Sequence, residues 1–183
     1  MRQIETYFFG KLNQSRDFIV SENLQANDKN FWDGWFSRCA NQDKLIPFTR
    51  KVLFASRIWL FGIRLPDSIT YIGITALSSD QTGRQYPFVL FQKLYTLSEQ
   101  LNSFNFFYKN VDFFNQTLIN GKCFITNCLG TLHKPDHPLS ESFLNFLSKS
   151  DNIGSFWIEC ESGNHIERDG ELTCSLFNKI FGL

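Results

Sequence analysis

An α+β fold built on an antiparallel sheet is predicted by three features of the sequence. Strand-like apolar runs follow one another between Ile58 and Gln92 with only short turns between them. A long helical stripe then runs from Leu94 to Asn120, and a last strand-like run, Ile153 to Cys160, returns before a closing helix. Strands joined by connections too short for a crossover must pair antiparallel, as a meander. Strands grouped first and helices grouped after them separate α+β from alternating α/β chains. The expectation is a sheet of roughly five strands covered by helices, with a longin- or roadblock-like arrangement as an analogy. No repeat, low-complexity tract or linker interrupts residues 1–183, so one domain is expected.

Ile4 to Leu12 reads as the first strand. Its adjacent rings Tyr7 and Phe8 break strict alternation, which suits a strand buried on both faces or one with a bulge at Gly10. Asn27-Asp28 offers a helix N-cap. Phe31, Trp32, Trp35, Phe36, Cys39 and Ala40 follow at helical spacing and form one apolar stripe, the signature of a core-facing helix. Pro47 limits the next piece to a short helix over Phe48–Ala55 at best. Ile58–Leu65, Ile69–Leu77 and Tyr86–Gln92 are the meander strands. Leucines and rings recur every three or four residues from Leu94 to Leu118, with a break expected near Asn102–Asn105 and a stop at Gly121. Pro138 starts a further helix carrying Phe143, Leu144, Phe146 and Leu147. Ser162-Gly163-Asn164 is a turn, and Leu172, Leu176, Phe177 and Ile180 mark the closing helix.

Phe is the compositional outlier, with 21 residues against a single Met, so the core should be dominated by rings. The 18 basic and 18 acidic residues cancel and no block of like charge occurs. That removes the electrostatic argument for nucleic acid or an anionic membrane surface. No apolar run reaches the ~18 residues of a membrane span, and no signal peptide is visible at the start. Cys39, Cys123, Cys128, Cys160 and Cys174 are odd in number and scattered. Without an export signal they are expected to be free thiols in the cytosol.

Ser78 to Phe88 reads as the tip of a β-hairpin. Gly83 supplies the positive φ that a tight turn needs. Asp80 can accept backbone N–H groups two residues on and close the turn from its own side chain. Arg84 has two candidate roles: it pairs with Asp80 or another acid and locks the turn, or its fork of donors faces a groove and holds a partner. Asp33 points off the aromatic stripe, either as a solvated helix acid or as an ion-pair partner of Arg84 or Lys11.

Catalytic and metal chemistry find little support. The set Cys123, Cys128, His133 and His137 has zinc-ligand residue types, but only four residues separate the two pairs and Pro135 and Pro138 bar a ligating helix. Cys128, His133 and Asp136 are close in sequence without an oxyanion site or an oriented base. A thiol-dependent enzyme at Cys128 and His133 is kept as the less favoured alternative. Phosphate loops, nucleophile elbows and zincin motifs are absent from the sequence. No cofactor, metal or catalytic residue is expected.

Asp80-x-x-Gly83-Arg84-x-Tyr86-Pro87-Phe88 resembles a signature of the TagF family, accessory proteins of the bacterial type VI secretion system. The resemblance extends through Gly10-Lys11-Leu12 with Asp17-Phe18, through Trp32-Asp33-x-Trp35, through Ser56-x-x-Trp59-x-Phe61, and through Gly154-Ser155-Phe156-Trp157. Asn13 and Arg16 stand where the family has Pro and Gly, and Arg57 and Leu60 where it has Pro and Arg. The resemblance implies a cytoplasmic, non-catalytic repressor that acts post-translationally by binding a forkhead-associated scaffold protein, with a general adaptor of the same apparatus as the alternative. Lys11, Asp17, Asp33, Asp80 and Arg84 are expected to form a charged patch around the hairpin tip, ringed by Trp32, Trp35 and Trp59.

Overall fold

The computed structural model describes residues 4–12, 15–40, 57–121, 140–149 and 152–182. Its strands are β1 (Thr6–Gly10), β2 (Ile19–Val20), β3 (Trp59–Arg64), β4 (Thr70–Ser79), β5 (Gln85–Leu94), β6 (Gly154–Glu159) and β7 (His165–Asp169). Its α-helices are α1 (Ala26–Ala40), α2 (Leu97–Lys109), α3 (Val111–Asn120), α4 (Ser140–Ser148) and α5 (Cys174–Phe181). The strands make one sheet in the order β2-β1-β5-β4-β3-β6-β7, and every neighbouring pair is antiparallel.

The α+β class and the meander β3-β4-β5 are as the sequence predicts. The count of five strands is corrected to seven among the described residues. β2 is only two residues long, too short to leave a periodic signal. β7, His-Ile-Glu-Arg-Asp, carries one apolar residue because it is an edge strand with both faces partly wet.

The alternation of the central strands explains the layers. Trp59, Phe61, Ile63, Tyr71, Val89, Phe91 and Trp157 face one way and pack with Trp32, Trp35 and Phe36 of α1 and Phe177 and Ile180 of α5. Leu60, Ile72, Ile74, Phe88, Leu90 and Phe156 face the other way, against Phe104 and Phe107 of α2, Phe114 of α3, and Phe143 and Phe146 of α4. Both faces of the sheet are therefore covered, which is why its middle strands read as near-continuous apolar runs.

The long helical stripe is two helices. Leu94 still belongs to β5; Thr96 and Glu99 form a capping box that starts α2. The break falls at Asn110 instead of Asn102–Asn105. Gly121 closes α3 in the left-handed region, as expected. Gly10 sits at φ +134°, where an added Cβ would lie 2.1 Å from the Pro87 carbonyl oxygen. Only glycine lets β1 run this close to β5 before the chain turns toward Lys11.

The expectation of free thiols fails for two of the five cysteines. Cys39 of α1 and Cys174 of α5 form a disulfide across 135 residues of sequence. Neither linear spacing nor an even count announces it, because α1 and α5 meet only in the folded layer. Cys160 is free. The short helix expected over Phe48–Ala55 lies outside the described residues, as do Cys123, Cys128, His133, Asp136 and His137.

Candidate functional site

The hairpin between β4 and β5 is built around the carboxylate of Asp80. Gly83 N–H donates to the Asp80 carbonyl at 3.0 Å, and Asp80 N–H donates to the Arg84 carbonyl at 3.0 Å. Gly83 takes the positive φ, +79°, that lets this turn close. Asp80 Oδ1 accepts the Thr82 N–H at 2.9 Å, the Thr82 hydroxyl at 2.7 Å and the Arg84 N–H at 3.0 Å. Oδ2 accepts Lys11 Nζ at 2.9 Å and Arg84 Nε at 2.8 Å. The Asp80 side chain is fully covered, with 0% exposure, while Arg84 is 56% exposed.

Electrostatics follow from this count of donors. Burial alone would push the Asp80 carboxyl up. The hydrogen bonds from Thr82, Lys11 and Arg84 outweigh it and hold the group well below the usual carboxylate range. Asp80 therefore stays ionised, and the two cations stay fixed on it.

The segment after β1 docks on the same turn. Gln81 N–H donates to the Ser15 carbonyl at 3.3 Å, and Arg84 Nη2 donates to the Arg16 carbonyl at 3.5 Å. Lys11 Nζ sits 5.0 Å from the centre of the Phe18 ring. Phe18, 43% exposed, packs edge-on to Tyr86 with ring centres 4.6 Å apart. The segment after β1 and the turn thus expose the Arg84 side chain and, on Lys11 and Tyr86, the ring of Phe18.

Asp33 meets neither cation. It accepts the Tyr86 hydroxyl at 3.1 Å and the Ser37 hydroxyl at 3.0 Å. The link between α1 and the hairpin therefore runs through the tyrosine of the motif. Burial raises the Tyr86 phenol; the Ser37 bond opposes this and the Asp33 carboxylate adds to it. Asp17 is exposed and, among the described residues, pairs with none of the other predicted site residues.

Of the eight residues singled out from sequence, Lys11, Asp80 and Arg84 come into direct contact. The ring of tryptophans around the patch is corrected by burial. Trp32, Trp35 and Trp59 are 0%, 3% and 3% exposed and lie inside the core between the sheet and α1 and α5. Trp35 Nε1 donates to the Thr173 carbonyl at 3.2 Å, toward α5 and not toward the hairpin tip. A helix stripe wide enough to include Phe36 and Cys39 must turn its indoles inward.

A second ionic cluster lies between α1 and the sheet. Asp28, read from sequence as a cap, is buried; it accepts the Tyr71 hydroxyl and pairs with Lys93 Nζ at 3.1 Å. Burial, then the bond to Asp28, raise the Tyr71 phenol. The available signal was Lys93, a cation amid the apolar residues of a central strand, which demands an acid. Asp28 and Lys93 line a cleft of about 280 Å³ together with Glu5, Tyr7, Gln25 and Glu99.

Cys160 lines a cleft of about 370 Å³ with Phe104, Tyr108 and Ile158. Burial pushes its thiol up to about 12, the reverse of what a nucleophile needs. Among the described residues no cluster of three or more His, Cys, Asp or Glu is placed to hold a metal ion. No helix among them is long and apolar enough to cross a membrane.

No curated protein sequence matches this chain. The crystal structure of PA0076 from Pseudomonas aeruginosa PAO1 is similar, with a TM-score of 0.60 at 19% identity over 98% of this chain and 95% of that one. At that identity the likeness speaks for the fold. A family model, the TagF N-terminal domain, type VI secretion system-associated, matches residues 7–121. That stretch runs from β1 through α3 and contains all eight residues singled out from sequence, from Lys11 to Arg84. The chain belongs to the TagF family and is a type VI secretion system-associated protein.

Proposed function

We propose that the chain is a non-catalytic, cytoplasmic regulator that represses the type VI secretion system after translation by binding a forkhead-associated scaffold protein of the apparatus. The observation that carries this reading is the mounting of Arg84. Its Nε edge is held by the buried Asp80 carboxylate and its Nη2 reaches the Arg16 carbonyl at 3.5 Å, while the side chain remains 56% exposed. A guanidinium fixed in place before binding loses less freedom on binding. Arg and aromatic side chains are the anchors that interface hot spots favour. The exposed acids Asp17 and Asp33 stand at the margin, where charge sets orientation and on-rate more than affinity. Trp32, Trp35 and Trp59 support this surface from inside the core. In this reading the chain needs no cofactor, metal, nucleic acid or membrane insertion.

A second surface favours the adaptor alternative. Leu97, Tyr108, Phe113 and Ile119 on α2 and α3 are large, apolar and 40–57% exposed. Capture experiments separate the two. A tagged chain from a secreting bacterium should bring down the scaffold, and Arg84→Ala should lose it while Ile119→Ser keeps it. The reverse pattern supports the adaptor, and retention by both variants removes the hairpin reading.

A further inference from the structure

We infer that Cys39 and Cys174 form a thiol–disulfide clamp that fixes α5 on α1 and opens and closes with the redox state around the protein. The inference rests on the cytoplasmic residence proposed above. Disulfides in cytosolic proteins are usually transient and redox-sensing, whereas those of oxidising compartments are permanent.

The two cysteines are unequal partners. Cys39 is 1% exposed, on the last turn of α1. Cys174 is half-buried and is the first residue of α5, after Thr173, whose side chain caps the helix. A thiol at a helix N-terminus is favoured as the thiolate. Cys174 is thus the accessible, reactive sulfur and Cys39 the sheltered one that resolves.

The surroundings keep the pair aligned when the bond opens. Arg38 Nη2 donates to the Leu172 carbonyl at 3.1 Å and Trp35 Nε1 to the Thr173 carbonyl at 3.2 Å. Phe177 and Phe181 of α5 pack on Trp35 and Phe36. Phe36 in turn packs edge-on to Tyr86, ring centres 5.7 Å apart. A loosened α5 is therefore felt one ring away from the hairpin surface.

Closing begins when the Cys174 thiolate attacks one sulfur of a low-molecular-weight disulfide such as glutathione disulfide and expels one glutathione thiolate. Cys39, its proton lost to water, then attacks the Cys174 sulfur and expels the second. Two cysteine thiols give up two electrons and two protons, and one glutathione disulfide becomes two glutathiones. Opening is the reverse.

The test equilibrates the purified full chain in glutathione buffers from oxidised to cytosol-like reduced ratios. Each sample is quenched with an alkylating agent and mapped by peptide mass, and amide exchange over residues 174–181 is measured at both extremes. Cys39 and Cys174 should become alkylated together at the reduced ratio, and the α5 amides should exchange at least about tenfold faster. Cys174→Ser should exchange at the fast rate in both buffers. A bond that stays closed at the reduced ratio is a permanent staple and overturns the inference. So does a pair that is alkylated even in oxidised buffer, or an opening that leaves α5 exchange unchanged. No scaffold protein enters the assay, so a chain that captures scaffold but keeps its bond closed sinks the clamp alone.

Discussion

Lys11 Nζ lies 2.9 Å from Asp80 Oδ2, inside the protein, although 69 residues separate the two. Lys11 follows β1 and Asp80 follows β4, and the register β1–β5–β4 is what brings them together. Removing the carboxylate leaves a buried ammonium without its charge partner, which is more damaging than never having the pair. Asp80→Asn should lower the melting midpoint by about 5–15 °C. Arg84→Ala, at an exposed position whose backbone N–H still reaches Asp80, should change it by no more than about 2 °C. Thermal melts of the two variants check the order; equal effects would mean that the charge triad is not what holds the turn.

The same carboxylate sets an acid limit. Its folded-state value lies below the ordinary one near about 4. The stability it supplies is therefore present above about pH 4 and is lost as the pH falls through the folded-state value. Urea midpoints measured from about pH 5 downward should fall for the native chain and fall less steeply for Asp80→Asn.

Tyr71 and Tyr86 set the alkaline limit. Burial raises both phenols above their ordinary value of 10.0, so both favour the folded state while protonated. Their contribution is complete below about pH 10 and is lost as the pH rises toward the folded-state values. Tyr86→Phe removes one of them, together with the bond to Asp33. It should cost about 0.5–1.5 kcal/mol at neutral pH and soften the alkaline loss. A titration of stability between about pH 8 and pH 12 tests both parts.

Phe36 is the ring where α1, α5 and the hairpin meet. It is 0% exposed and contacts Phe9, Trp32, Tyr86, Phe177 and Phe181. Phe36→Ala should cost about 3–5 kcal/mol in chemical denaturation, the range for a large ring removed from a packed core.

Cys160 supplies a chemical check on the non-catalytic reading. With its thiol pushed up to about 12, almost none of it is thiolate at neutral pH. Peptide mapping after brief treatment with an alkylating agent at pH 7 should find Cys160 unmodified, and its rapid labelling would reopen the question of thiol chemistry in the cleft beside Phe104.

Sequence was most informative where local chemistry decides the shape. Gly83 and Asp80 dictate their turn within five residues, and the strands of the meander announce themselves by apolar runs between turn signals. The inward stripe of α1 was also legible, and taken at its word it already excluded Trp32 and Trp35 from any surface rim. What stayed hidden depends on residues that only the folded sheet brings together. The Lys93–Asp28 bond and the Cys39–Cys174 disulfide each join segments tens of residues apart or more, whereas the nearness of Lys11 and Asp80 is expected from the family resemblance alone. The edge strands β2 and β7 escaped because a solvated edge carries no period. Sequence marks Tyr86 as part of a motif; its bond to Asp33 requires knowing that α1 crosses the same face of β5.

The central claim, that the Arg84 surface grips a scaffold protein, is tested most directly by calorimetric titration of the purified forkhead-associated scaffold with the native chain and with Arg84→Ala. The account predicts binding by the native chain and a dissociation constant weaker by at least about tenfold for the variant, with its melting midpoint preserved. Equal affinity in the two proteins, or no binding by the native chain, would contradict it.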